Sequence, residues 1–219
     1  MHTAEDVVEH RAPAGLRERK KRRTREALIR CALELFALKG YERTTVDEIA
    51  EAAEVSQRTF FRYFANKEEV ALAMQQLGQA HFLAALERRP AAEPPLAALR
   101  GATLDGWDSV RDAIAAVVPV DLHLRTTRMI ESTPALLAAH LRRLAELEER
   151  IVEEIARREG LDPATDPRPH VLVAAFGGVT RVTGKLWGER GEGGLEELRR
   201  LTSTYLDQLG PALAENWRT

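Results

Sequence analysis

Cysteine is nearly absent from this chain. The one cysteine in 219 residues is Cys31, which excludes an intrachain disulfide framework and a cysteine-based zinc site. Its small and apolar neighbours suit a packing role. No apolar run reaches the roughly 20 residues a membrane-spanning helix needs, and the first residues form no signal-peptide core. A cytoplasmic protein with no membrane partner is therefore expected. Apolar–polar alternation never persists for the length of a strand, so the fold is expected to be all-α, with about nine helices. The six histidines, His2, His10, His81, His123, His140 and His170, are scattered, and no pair has metal-ligand spacing on one helix. Gly-x-Ser-x-Gly, His-Glu-x-x-His and a phosphate-cradling glycine loop are all missing. Gly191-Glu192-Gly193-Gly194 follows no strand and reads as a loop. Neither a cofactor, a metal nor an enzymatic activity is expected.

What remains is a chain with 30% charged and 44% hydrophobic residues, a balance that suits a globular protein with a sizeable core. The net charge of -2 says little by itself, but its distribution says more. Residues 11–67 carry 14 Lys and Arg against 8 Asp and Glu, whereas residues 68–219 carry 18 against 23. A basic N-terminal quarter on an acidic body is the asymmetry of a nucleic-acid-reading head. Residues 1–16 hold Pro13 and Gly15 without periodicity and read as a flexible arm. The run RERKKRRTR from Arg17 to Arg25 opens a helix reaching Leu38, and Gly40 ends it at a position that favours positive φ. Such a run is either a solubilising tail or, beside a DNA reader, a phosphate-neutralising segment in which Arg22 and Arg23 are the best placed.

From Thr44 to Lys67 the chain reads TTVDEIAEAAEVSQRTFFRYFANK. Thr45 with Glu48 forms a capping box, and Val46, Ile49, Ala50 and Ala53 give the apolar stripe of a first short helix. Glu54-Val55 makes a turn, and Ser56 caps a second helix on which Phe60, Phe61 and Phe64 are expected to face inward. That leaves Gln57, Arg58, Thr59 and Arg62 outside. Arg can donate two bonds to guanine, Gln can bridge adenine, and Thr can touch a thymine methyl or a phosphate. An ordinary helical hairpin with a solvated polar face has the same spacing. Asn66 with Glu69 starts a third helix, expected to run unbroken to Arg89.

Further on, helices are expected from Leu96 to Val118, from Asp121 to Glu131, and from the Ser132-Thr133-Pro134 start signal to Glu159, where Gly160 stops the chain. A proline- and aspartate-rich loop spans 161–169. The next helix, His170 to Glu189, is apolar on nearly all sides at first. It therefore belongs either in a monomer's centre or between its own core and a partner subunit. Gly177, Gly178 and Gly184 there would permit close backbone approach. The last helix, Leu195 to Leu209, carries Leu198, Leu201, Tyr205 and Leu209 on one stripe.

The segment ALIRCALELFALKGY (27–41), followed without a gap by Thr44-Thr45-Val46, Ile49-Ala50, Val55-Ser56, Thr59-Phe60-Phe61, Tyr63-Phe64 and Asn66-Lys67, resembles the TetR family of transcriptional regulators over about 50 residues. The family commonly has Gly where this chain has Glu54, and often Tyr where it has Phe61. The body from Arg125, with RMIESTPALL, is similar to regulators associated with mycofactocin, a group linked to acyl-CoA ligands. The resemblance implies a DNA-binding head (17–67) and a ligand-binding and dimerisation body (68–219). It implies a homodimer whose two heads meet major grooves about 34–36 Å apart on a palindromic double-stranded operator. Thr44, Thr45, Ser56, Tyr63 and Lys67 would join the DNA contacts. Ala174, Gly177, Gly178, Arg181, Leu198, Leu201, Tyr205 and Leu209 would form the interface between subunits.

The family also carries a cavity for a small effector in the body. The polar or aromatic candidates there are His81, Trp107, His123, Arg125, Arg128, His140 and Phe176. Arg125 and Arg128 share a helix face; they could hold an anionic ligand or pair with Asp121 or Glu131. An acyl-CoA or another hydrophobic molecule is the expected effector, acting on a repressor. The alternatives are an activator of the same family, or a helical partner-binding or enzymatic protein whose head is structural only.

Overall fold

The computed structural model describes residues 14–190 and 194–214. Residues 1–13 of the expected arm and Gly191–Gly193 of the glycine-rich loop lie outside the described residues. Everything described is helix, turn or loop, and no strand occurs among the described residues. The elements are α1 (Ala14–Lys39), α2 (Val46–Ala52), α3 (Gln57–Tyr63), α4 (Lys67–Ala71), α5 (Ala73–Glu87), α6 (Pro95–Leu104), α7 (Trp107–Ala115), α8 (Val120–Ser132), α9 (Pro134–Glu159), α10 (Arg168–Arg190) and α11 (Leu195–Ala214).

The head is built as its pattern dictates. Leu28, Ile29, Ala32, Leu33 and Phe36 of α1 recur at helical spacing and are buried; each is worth on the order of 1.5–3 kcal/mol for the larger side chains. Against them lie Ile49 and Ala50 of α2 and Phe60 and Phe64 around α3. Gly40 ends α1 with φ 88, a left-handed conformation that costs glycine little. The helix starts at Ala14, so residues 14–16, expected to be part of a flexible arm, are its first turn.

Two expected helices are each divided in two. The helix from Asn66 breaks at Leu72, whose backbone (φ -92, ψ 5) leaves the helical range between α4 and α5. Val70, Ala71, Leu72, Ala73 and Met74 are all buried. Five consecutive residues cannot share one helix face, so the change of direction lets α4 pack on α1 and α9 while α5 turns toward α6 and α7. The second break falls at Asp105-Gly106, between α6 and α7. There a Cβ on Gly106 would come within 2.9 Å of the Ala102 carbonyl oxygen, and glycine permits that approach.

In the body, Pro134 occupies the first turn of α9, as its start signal requires, and Gly160 (φ 65) closes it. The expected hydroxyl cap does not form: Thr133 makes no capping bond, and the Ser132 hydroxyl donates to the Met129 carbonyl instead. α10 lies between α9 and α11. One apolar core joins the head to α7, α8 and α9 through Ile114, Val118, Leu122, Ile130 and Leu136. A second gathers Leu83, Leu86, Leu99, Ile151, Ile155, Val173, Phe176 and Leu206 at the far end.

Candidate nucleic-acid interface and body cavity

The head's polar groups divide into those that shape the motif and those left for a partner. Thr45 and Glu48 form the complete capping box of α2. Lys39 and the Thr45 backbone and hydroxyl donate to the Glu48 carboxylate and hold its pKa down to about 2. Ser56 Oγ accepts from the Thr59 amide at 3.2 Å and lies 3.0 Å from the Thr59 hydroxyl. Such a cap is worth about 1 kcal/mol, and it fixes the start of α3 with Gln57 and Arg58 as its first two residues. Both are exposed, as is Arg62, whose guanidinium lies 5.2 Å from the centre of the half-buried Tyr63 ring. Phe60 (0% exposed) and Phe64 (1%) anchor this helix from behind. The polar surface left exposed is thus the N-terminal turn of α3, the element and the end by which helix-turn-helix proteins read base edges.

Several expected contacts have other occupations. Phe61 is 50% exposed and does not face inward; one residue past Phe60, it is turned about 100° from the anchoring face. Thr44 is buried, and its hydroxyl donates to the Gly40 carbonyl at 2.9 Å, so it supports the end of α1 and presents nothing to DNA. The Lys67 ammonium donates to the carbonyls of Tyr41 (2.7 Å) and Thr44 (3.0 Å) and lies 4.1 Å from the Tyr41 ring centre. It acts as an internal clamp and is not a free phosphate ligand. Burial and the neighbouring Glu68 and Glu42 raise that tyrosine's pKa to about 12. Arg22 and Arg23 are exposed on α1, and Arg22 comes within only 3.5 Å of Glu26. Arg25, which the sequence reading passed over, lies 5.1 Å from the Phe64 ring centre; its place in the basic run beside an aromatic-rich helix was the available signal.

In the body a cavity of about 790 Å³ opens among α5, α7, α8, α9, α10 and α11. Of the expected ligand residues it brings together Trp107, His123 and His140. The other four lie elsewhere. His81 Nδ1 is 2.9 Å from the Leu77 carbonyl, and Phe176 stacks on Phe82 at 5.8 Å in the second core. Arg125 is exposed and pairs with Asp121 at 2.9 Å, the alternative its position had left open; Arg128 is also exposed. Gln75, Thr127 and Trp187 were missed and line the cavity. Gln75 shares its helix with Gln76 and Gln79, so no local signal singled it out. Burial lowers the pKa of both cavity histidines, that of His123 to about 4, and Arg143 contributes at His140.

The outer faces of α10 and α11 sort the expected interface residues. Gly177 is buried, and a Cβ there would run into the Glu148 carboxylate. Leu201 is buried within the subunit, Leu198 and Arg181 line the cavity, and Arg181 pairs with Glu148 at 2.6 Å. These four serve their own subunit first. Ala174 and Tyr205 remain exposed, Gly178 has open space where a Cβ would be, and Leu209 is half-buried. Val171 and Val182 join that outer stripe at 65% and 47% exposure.

Among known proteins, residues 28–74 match the family described as bacterial regulatory proteins, tetR family, and residues 93–214 match the MftR C-terminal domain. The HTH-type transcriptional regulator TcmR of Streptomyces glaucescens is 50% identical over 204 residues, which cover 93% of this chain and 90% of TcmR. MftR of Mycobacterium tuberculosis is 30% identical over 163 residues, 71% of this chain and 75% of MftR. The solved SmeT–triclosan complex shares the fold with a TM-score of 0.59 and 20% identity, covering 87% of this chain and 91% of SmeT. With its head and body both matched, the chain belongs to the TetR family of transcriptional regulators and carries an MftR-type C-terminal domain.

Proposed function

We propose that this regulator is a homodimeric repressor that holds a palindromic operator and lets it go when a small hydrophobic molecule enters the body cavity. The observation that carries the reading is α3: Phe60 and Phe64 are sealed beneath it, and Gln57, Arg58 and Arg62 are left outward on a capped, preformed helix. Ser56, Thr59, Tyr63 and Thr45 position that surface, and Arg22 and Arg23 supply charge to adjacent phosphates. A twofold pairing through the outward stripe Val171, Ala174, Gly178 and Val182 of α10, with Tyr205 and Leu209 of α11, would place two such helices on one duplex. The apolar side chains left exposed on that stripe support the pairing.

The route from cavity to head runs through the kink at Leu72. Met74, Gln75 and Gly78 of α5 line the cavity, and α4, just across the kink, is tied to the head through Lys67. An occupant that fits better when α5 shifts would favour head placements unable to span both half-sites.

The reading is tested by a gel shift on DNA from the protein's own promoter region. The full chain is expected to retard it as a dimer, in a salt-dependent way. Arg58→Ala should weaken specific binding by about 1–3 kcal/mol without lowering the melting temperature. Val182→Asp should give a monomer by light scattering that has lost the operator complex. Retention of sequence-specific binding by both variants would reject the reading.

A further inference from the structure

The body cavity holds a set of polar atoms that the fold leaves without partners. Gln75 Oε1, Trp107 Nε1, His123 Nδ1 and His140 Nδ1 are buried and make no hydrogen bond. They come from four different helices, and all four residues line the same cavity. Buried polar atoms are nearly always paired in folded proteins, so four unpaired ones on residues that line one apolar space are groups an occupant could satisfy once their side chains turn toward it. An indole N–H only donates, and so requires an acceptor. An amide oxygen only accepts, and so requires a donor; each imidazole nitrogen takes one or the other according to its tautomer.

Charge is arranged differently. The charged lining residues, Arg111, Glu131, Arg181 and Lys185, are all exposed. Arg111 is paired with Asp108 and Asp112, and Arg181 with Glu148. Burial keeps both histidines neutral near pH 7. An anion drawn past these exposed charges into the interior would lose its water beside neutral histidines only, which is strongly unfavourable. Arginines suited to an anion, Arg142, Arg143 and Arg150, line a separate cleft with Gln76 and Gln79 of α5.

We infer that the effector is an uncharged, compact and largely apolar molecule that presents both a hydroxyl-type donor and a carbonyl-type acceptor to Gln75, Trp107, His123 and His140. An acyl-CoA would leave its phosphates at the exposed Arg111, Arg181 and Lys185 and send inward an acyl chain with no hydroxyl for these groups, a poorer complement to the interior. The inference rests on the cavity being the effector site proposed above.

The test measures dissociation constants for the full-length protein at pH 6.5 with four probes. 4-Hydroxybenzophenone is neutral, with a hydroxyl and a ketone; 4-benzoylbenzoate is its carboxylate counterpart; diphenylmethane lacks polar groups; lauroyl-CoA is the acyl-CoA. 4-Hydroxybenzophenone is expected to bind at least tenfold more tightly than 4-benzoylbenzoate or lauroyl-CoA. Trp107→Phe and Gln75→Leu should each weaken it about five- to tenfold while leaving diphenylmethane within twofold. Equal or tighter binding of the carboxylate or the acyl-CoA overturns the inference. So does binding of none of the probes, or indifference of 4-hydroxybenzophenone to both substitutions. Gel shifts on the same samples separate the two readings. Neutral-probe binding as described with the operator still held would leave the cavity's chemistry intact and remove the effector reading. Operator release by lauroyl-CoA would do the reverse.

Discussion

In the head, Thr45, Ser56 and Asn66 each accept from the amide three residues on, and no buried side-chain polar atom there lacks a partner among the described residues. All seven such atoms lie at Gln75 or beyond, in the body, and four of them ring one cavity. The head is complete as it stands and meets DNA as a preformed surface. The body has apolar cores on either side of an open cavity, so its packing there can adjust to an occupant. A regulator needs both properties: one part that does not change shape, and another whose shape has a low-cost alternative.

The largest effect should come from deleting packing on either side of that contrast. Phe60→Ala is expected to cost about 3–5 kcal/mol, because a sealed aromatic leaves a hole. Leu144→Ala, which only enlarges an existing cavity, should cost far less; similar losses in denaturant unfolding would erase the contrast. Next is pH. The native pKa of His123, about 4, lies below the unfolded value of about 6.5, so the unfolded chain binds more protons between the two. Its contribution is therefore complete above about pH 6.5 and is lost as pH falls toward 4, about 3 kcal/mol in all. In His123→Phe that part of the stability–pH slope should vanish. The low Glu48 pKa acts in the same direction but only at more acid pH, below the carboxylate's ordinary value.

Lys67→Ala sharpens the contrast within the head. It strips two backbone carbonyls of their donor and should cost about 2 kcal/mol of stability, while the salt dependence of residual DNA binding stays unchanged. A phosphate-contacting lysine would instead lower that slope by about one. Smallest is Arg23→Ala, expected to reduce the slope of log affinity against log salt by about one and leave the melting temperature alone. Arg150→Ala, in the body, should change neither.

Much of this was legible because it is local. Thr45 with Glu48 and Asn66 with Glu69 are signals three residues long, and Gly40, Pro134 and Gly160 punctuate helices by their own backbone preferences. The TetR resemblance added the order of head and body. Features that depend on distant neighbours were hidden. Lys67 meets the Tyr41 carbonyl across 26 residues, and nothing near either position announces it. His81 and His123 look alike in their own segments: His81 meets the Leu77 carbonyl one turn back on its own helix, whereas His123 lines a cavity that exists only once α7–α11 pack. Gly177 and Gly178 are neighbours with opposite fates for the same reason. The break at Leu72 was half-readable: VALAM is too uniformly apolar for a two-sided helix, but which way it bends is decided by α1, α6, α7 and α9.

The turn between α2 and α3 places Glu54 at φ 53, a conformation that costs a side-chain-bearing residue about 1 kcal/mol or more. Glycine there would relax the backbone and at the same stroke delete a negative charge from the part of the molecule that approaches polyanionic DNA. The first change is expected to raise the melting temperature, and the second to strengthen DNA binding in a salt-dependent way. A single side chain in this turn thus touches two separate quantities, the folding stability of the head and its electrostatic attraction to a polyanion, and Glu54→Gly moves both.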